Sequence, residues 1–448
     1  MSSSSKSPLK DVLKTSLPAV IDLSSQTLAW LIEAIYIGHL GAAALAGMGF
    51  ALQIILLTFT VVLTFVVGAS VIIVRYLGAE DHWNANHVLA QALMIGTVLS
   101  FIIAALWYFG GSLLLTLIEE DEPIARTYGV QYIRTVAMFG PIVILNFMAL
   151  GIMRMVGDTL LTMKVNLFAN IMHLSLGPIF IFGLFGVPRL ETRGAALAVG
   201  IAHTLAFLIT LYYLRSRKSV MYLSFREYAT PNLETFKRLF KLGIPTTVEQ
   251  LVWAAGQVIL SFFAAQIGIV VLATHQIFAR LQSVLSMVYQ GFGIASMALV
   301  GKNIGADNPQ HAMATGHSAA RVAFVASFVV ALILVVSHPI WLPIFTNDRQ
   351  VIQLGASVMT IFALIQIPKA VNAVFTGNLR GGADLAWLMW LAMLSVVLFE
   401  VFGAYTLSLM LGLGLAGLWV IQGVDETFRL SLNFWRFRNS KWKLKDIL

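Results

Sequence analysis

The 448-residue chain is 58% hydrophobic and only 11% charged, against roughly 25% charged in a soluble domain, so it is a polytopic membrane protein and a soluble multidomain enzyme is excluded. It contains no cysteine, which removes disulfides, iron–sulfur clusters and thiolate metal sites and leaves the redox compartment open. The formal net charge of +8 comes from basic residues gathered in loops and tails, a topology signal rather than a nucleic-acid-binding one.

The N-terminal MSSSSKSPLKDVLK is polar and basic without a small-residue cleavage site, so the first span is expected to stay in the mature protein. Apolar runs of about twenty residues, enough to cross a bilayer as a helix, fall near 14–37, 46–74, 88–116, 127–150, 160–185, 194–214, 237–265, 272–300, 313–341, 351–377, 387–411 and 414–435. Twelve spans put both termini on one side. That side carries Lys6, Lys10, Lys14, the loop residues Arg215, Arg217, Lys218 and Arg226, and the tail residues Arg436, Arg438, Lys441, Lys443 and Lys445. The opposite loops hold few basic residues and the acidic run Glu119–Glu122. The positive-inside rule therefore places both termini in the cytoplasm, with the chain in a plasma membrane, or an inner membrane if bacterial. The tail NFWRFRNSKWKLK reads as an interfacial anchor.

The two halves repeat at an offset of 226–227 residues. LPAVID (17–22) matches IPTTVE (244–249), pairing Pro18 with Pro245 and Asp22 with Glu249. LGAAALAGM (40–48) matches IGIVVLATH (267–275), and RYLGAED (75–81) matches KNIGADN (302–308). Arg154 and Asp158 match Arg380 and Asp384. Six spans per half is an even number, so the copies share one orientation, as in transporters built from parallel repeats. The expected division is an N-lobe over 1–215, a cytoplasmic linker over 216–236, a C-lobe over 237–435 and a basic tail over 436–448.

Charges inside the spans mark candidate sites, because an ionised side chain at mid-bilayer costs about 2.5–3.5 kcal/mol on insertion scales. Asp22 and Glu33 lie eleven residues apart in the first span, about three turns, on nearly one face. Burial without a cationic partner favours the neutral form of a carboxyl, and taking up and releasing a proton is what H⁺ coupling needs. Glu33 is the first choice for that role, since no Lys or Arg lies at its depth in the N-lobe spans. Asp22 is either a polar residue at the inner mouth or a relay to Glu33, and His173 and Asn170 on the fifth span are candidate hydrogen-bond partners. In the C-lobe, Glu249 and Lys369 are expected to face one cavity, with Arg280 and Arg321 as alternative neutralisers of Glu249 or Glu400. Trp253, Gln257 and Asn372 complete a candidate substrate-contact set. Arg154 with Asp158, and Arg380 with Asp384, are read as structural clamps at helix ends rather than gating latches.

The motifs EAIYIGHLG (33–41), GASVIIVRYLGAED (68–81), GIMRMVGDT (151–159), ATHQIFARL (273–281), GIASMALVGKNIGADN (293–308), GNLRGGAD (377–384) and LGLGLAGLW (411–419) resemble the multidrug and toxic compound extrusion (MATE) family in order and repeat spacing. The resemblance implies an all-α fold of twelve spans in two pseudo-symmetric six-helix lobes, forming a V around a central cavity. It also implies export of organic, often cationic compounds against Na⁺ or H⁺, with no cofactor beyond the coupling ion. The first-span Asp of the family is Glu33 here. The tenth-span Asp of the sodium-coupled branch is replaced by Lys369, and its seventh-span Glu by Trp253, with the acid one turn earlier at Glu249. The Asp that another branch carries before the fifth-span Pro is Gly177, with His173 and Asn170 one and two turns earlier. The reading is a cation-coupled antiporter, H⁺ in preference to Na⁺, acting as a monomer on small organic molecules in a lipid bilayer. A lipid or lipid-linked precursor flippase of the same superfamily is the alternative. An intramembrane transferase, the rival from another class, would need clustered acids for Mg²⁺ or a His/Asp pair.

Overall fold

The structure is a computed structural model that describes residues 8–118, 123–216 and 218–439. Lys6, the acidic run Glu119–Glu122, Arg217 and the tail lysines Lys441, Lys443 and Lys445 lie outside the described residues. Twelve long helices follow one another: α1 (Pro8–Gly38), α2 (Ala42–Gly78), α3 (His82–Leu115), α4 (Pro123–Met155), α5 (Thr159–Phe182), α6 (Thr192–Arg215), α7 (Leu233–Ile267), α8 (Ile269–Gly305), α9 (Pro309–Val336), α10 (Arg349–Gly381), α11 (Leu385–Met410) and α12 (Gly414–Arg438). Among the described residues no strand occurs. Eleven of these helices are long and apolar enough to span a membrane. The exception, α12, has the length but carries Asp425, Glu426, Arg429, Arg436 and Arg438, a departure that its buried partners explain below.

The turns show the repeat in three dimensions. Four helices begin at an acidic or amide residue that follows a left-handed residue: Glu80 (φ 59°) before Asp81, Gly157 (φ 98°) before Asp158, Asp307 (φ 52°) before Asn308, and Ala383 (φ 58°) before Asp384. Asp81 accepts from the Asn84 backbone at 3.0 Å and Asn308 from the His311 backbone at 3.0 Å, satisfying amides that a helix start leaves open. The Asn84 side chain and backbone hold the Asp81 carboxyl below the usual carboxylate range.

The helices sort into two compact units. One comprises Ile21–Tyr76 and Asp81–Gly243; the other comprises Met1–Val20, Leu77–Glu80 and Ile244–Leu448. Both α1 and α7 carry an interior proline, Pro18 and Pro245, and each divides between the units within two residues of it. In the first unit, α2 and α4 meet where Gly151 faces Val66, and a Cβ on Gly151 would stand 3.0 Å from Val66. The repeat-equivalent contact in the second unit is Gly377 on α10 against Gly293 on α8, where a Cβ would lie 2.1 Å from the Gly293 carbonyl oxygen. Small residues at these crossings let backbones approach, the usual basis of helix packing in lipid. The second unit has an aromatic centre, with Phe278 and Phe362 stacked at 4.8 Å and Trp419 edge-on to both.

The segment between α6 and α7 is pinned to α3. Gln91 donates to the carbonyls of Glu227 (2.7 Å) and Thr230 (2.8 Å) and accepts from the Asn232 amide at 2.8 Å. The His87 ring lies 2.6 Å from the Glu227 carboxylate.

Candidate functional site

Within the first unit, α1 to α6 all contribute to the wall of a cavity of about 360 Å³. Its wall is mostly apolar and aromatic, with Trp30, Phe59 and Phe147, and the polar groups on it include Glu33, Tyr132, Asn170, His173 and His203. Glu33 is only 2% exposed. Its Oε1 receives the Tyr132 hydroxyl at 3.4 Å and stands 3.5 Å from His173 Nε2. Both distances exceed the usual 2.7–3.2 Å of a strong hydrogen bond. Among the described residues no Lys or Arg reaches this carboxylate within ion-pair distance.

Asp22 differs although it sits on the same helix. It accepts from Arg154 Nε and from Asn166 Nδ2, each at 2.8 Å, and is 1% exposed. One turn further along α1, Ser25 accepts from Asn170 Nδ2 at 3.0 Å. Asn166, Asn170 and His173 follow at spacings of four and three, on one face of α5. They form a polar strip from Asp22, paired with Arg154, to Glu33, which His173 approaches at 3.5 Å. Asn170 therefore contacts Ser25, and His173 is the α5 residue nearest Glu33. On the far wall, Asn146 Nδ2 is 3.2 Å from His203 Nδ1 and Asn146 Oδ1 accepts from Thr210 at 3.3 Å. Asn166 was legible as the residue one turn before Asn170; Tyr132, Asn146 and His203 carry no local signal in sequence.

The clamps form with other partners than expected. Arg154 reaches back to Asp22 on α1 instead of to Asp158, which accepts from Ser219 at 2.7 Å. In the second unit Arg380 donates to both oxygens of Glu249 at 3.0 Å, and Asp384 accepts from Arg436 at 2.7 Å. The chain reverses at the left-handed residue before each Asp, so a spacing of four does not bring Arg and Asp to one helix face there. Buried Asp22 and half-buried Glu249 take the guanidinium instead.

The expected Glu249–Lys369 pairing is likewise replaced. Lys369 Nζ lies 3.4 Å from Glu426 Oε1 on α12, and Arg429 bridges Glu426 and Asp425 at 2.8 Å each. Asn372 donates to Glu426 Oε2 at 2.9 Å and accepts from Asn433 at 2.9 Å. The Trp253 ring lies against both cations, 5.1 Å from Lys369 Nζ and 5.0 Å from the Arg429 guanidinium. Gln257 is half-buried one turn beyond Trp253. Among the described residues neither Arg280 nor Arg321 makes an ion pair with Glu249 or Glu400; both are exposed. Glu400 is 2% exposed, belongs to a wide π-helical stretch (Val396–Gly403), and leaves its Oε2 without a hydrogen bond. It fits because Gly256 has no side chain, since a Cβ there would lie 1.6 Å from that oxygen. Three acids thus share two cations. Asp425, Glu426 and Arg429 were the missed residues, and the signal was three charges within five positions of the last expected span.

The family model MatE matches twice, over residues 18–179 and 245–406. A probable multidrug resistance protein NorM of Thermotoga maritima is 24% identical over 441 residues, covering 98% of this chain and 94% of that protein. The uncharacterized transporter YisQ of Bacillus subtilis is 23% identical over 96% of this chain and 94% of its own. Among solved structures, a MOP superfamily transporter from Pyrococcus furiosus, described as having a binding pocket of reversed polarity, shares the fold with a TM-score of 0.89 at 22% identity over 98% of both chains. An outward-facing multidrug resistance MATE transporter matches equally, at 0.89 and 21% identity. One copy of the family model lies in each half of the repeat, and the chain accordingly belongs to the MatE family, the multidrug and toxic compound extrusion transporters.

Proposed function

We propose that this transporter is an antiporter exporting amphipathic, often cationic organic compounds by alternating access, coupled to H⁺ in preference to Na⁺, with Glu33 as the coupling carboxyl. The observation that carries this reading is Glu33 itself, 2% exposed on the wall of a 360 Å³ cavity and held only by two long contacts. Such a carboxyl can exchange a proton without breaking a strong ion pair. Asp22, by contrast, is held by Arg154 and Asn166 at 2.8 Å each. Asn166, Asn170 and His173 provide a polar route along α5 between the two acids. The aromatic and apolar wall, with Trp30 and Phe59 among its residues, suits an amphipathic guest. The multidrug resistance names of the Thermotoga relative and of MdtK from Edwardsiella ictaluri support the substrate class.

In the second unit, Trp253 and Gln257 remain the proposed substrate contacts, while Lys369 and Asn372 act through their hold on Glu426. Glu249 belongs with Arg380 to the scaffold. The flippase alternative drew on Lys369, Arg280 and Arg321; Lys369 is paired with Glu426, while Arg280 and Arg321 are exposed and make no ion pair among the described residues. We place the chain in the plasma membrane as a monomer with both termini cytoplasmic.

The test is substrate-driven H⁺ flux in proteoliposomes, with and without Na⁺. Wild-type protein should move H⁺ inward as substrate leaves, in Na⁺-free buffer. Glu33→Gln should abolish transport while the protein stays folded in the membrane. Full antiport by that variant, or strict dependence on Na⁺, would overturn the proposal.

A further inference from the structure

The outer face of the second unit carries a cation that has no ion-pair partner among the described residues. Arg321 on α9 is exposed, and among the described residues it makes no ion pair or hydrogen bond. The residues beyond it, Val322 to Val336, are apolar except Ser327. Several stand open to the outside, with Phe324 at 49%, Val325 at 61% and Phe328 at 52% exposure. In a bilayer that face meets acyl chains, so Arg321 sits where α9 passes from its polar start into lipid. A guanidinium left at such a depth without an anion is costly.

Two cavities meet at this residue. One, about 640 Å³, runs between α9, α10 and α12 beneath Phe324, Phe375, Leu430 and Phe434, and is almost wholly apolar. The other, about 400 Å³, opens toward Pro8 and Leu9 at the start of α1 and includes Ser318. Arg321 and His317 line both. His317 is braced by the rings of Phe375, Phe434 and Phe437, at 6.2, 6.0 and 5.7 Å. The charges acting on it are those of Arg321 and Arg438, both cations. A wide apolar groove that opens to the lipid side therefore leads to a basic junction, with a smaller chamber beyond it toward the helix ends.

We propose that this groove binds one anionic glycerophospholipid from the leaflet at the α8–α9 turn. One acyl chain lies between α9, α10 and α12, and the phosphate is held by Arg321 with the His317 ring and the Ser318 hydroxyl beside it. The planar guanidinium matches a phosphate through paired N–H donors. The site is separate from the Glu33 cavity and needs no assumption about the coupling ion.

Native mass spectrometry of the 448-residue chain, released from micelles doped with dioleoyl phosphatidylglycerol or dioleoyl phosphatidylcholine, tests it. Wild-type protein should retain one phosphatidylglycerol under activation that strips phosphatidylcholine. Arg321→Gln should weaken that retention about five-fold, the loss expected for one basic residue at an anionic surface. Ser431→Phe, which fills the groove without changing charge, should also lose the lipid, and Arg321→Lys should fall between wild type and Gln. Inorganic phosphate at matched concentration should not displace it. Equal retention of both lipids by wild type, or unchanged retention by Arg321→Gln and Ser431→Phe, overturns the proposal. Full displacement by inorganic phosphate does so as well, by reducing the site to an ion site.

Discussion

Two carboxylates on α1, eleven residues apart, have opposite surroundings, and that difference sets their chemistry. Asp22 is neutralised by Arg154 at 2.8 Å; Glu33 has only Tyr132 and His173 at 3.4–3.5 Å. Breaking a buried pair by removing one partner costs roughly 3–5 kcal/mol, whereas an exposed i,i+4 pair is worth about 0.3–0.5 kcal/mol. Arg154→Gln should therefore lower the unfolding midpoint in detergent far more than Arg238→Gln, which loses only the exposed bridge to Glu234. Adding Asp22→Asn to Arg154→Gln should recover part of the loss, because the orphaned charge is gone; no recovery would show that the Asp22–Arg154 pair is not the source. Glu400 is the reverse case. Its Oε2 has no hydrogen bond and it is the third acid against two cations, so Glu400→Gln should leave the midpoint unchanged or raise it. A drop of several degrees would mean that the charge is needed.

At the level of helices, glycines fix the crossings. The Gly377–Gly293 contact leaves no room for even a methyl group on α10, with backbone as the obstacle. Gly377→Ala should reduce folded yield sharply, because a helix must shift. At Gly256 the obstacle is the end of the Glu400 side chain. Gly256→Ala should be milder, and Gly256→Ala with Glu400→Ala should be more stable than Gly256→Ala alone, read by thermal unfolding. The helix starts follow the same local logic. Asp81→Ala removes the cap of α3 and should cost about 1 kcal/mol, while Asp81→Asn should cost little, since Asn308 performs the same task at the start of α9.

Across the whole molecule, the repeat separates scaffold from specialised chemistry. Asp22–Arg154 and Glu249–Arg380 are the same ion pair in the two halves, at matching positions of α1 with α4 and α7 with α10. Glu33 has no such counterpart, since an offset of 227 leads to Leu260, fully buried in an apolar cluster. The second half instead gathers its charges on α12, around Glu426 and Arg429. Transport normalised to folded protein should show this division. Glu249→Gln and Arg380→Gln should lower folded yield but keep the H⁺-to-substrate ratio, whereas Glu33→Gln should keep yield and lose transport. A changed ratio in the Glu249 variant would move that pair from scaffold to coupling.

The sequence by itself determined the class, the twelve helices, the repeat and the presence of two acids within the first span. Each rests on hydrophobic length, on spacing along one helix, or on the desolvation cost of a charge in an apolar run, all properties of contiguous residues. It also paired Asp22 with Glu249 and Arg154 with Arg380 as equivalents across the repeat, without showing that each acid holds the arginine of its own half. Only the tertiary structure decided which charges meet. Arg154 lies four residues from Asp158 and 132 from Asp22, yet the turn directs it to the distant acid. Lys369 passes over Glu249 for Glu426 on the last helix. Ion pairing in an apolar medium is settled by whichever counter-charge the helix crossings bring within reach. Those crossings are set by glycines and small side chains on other helices, so no local pattern announces the partner.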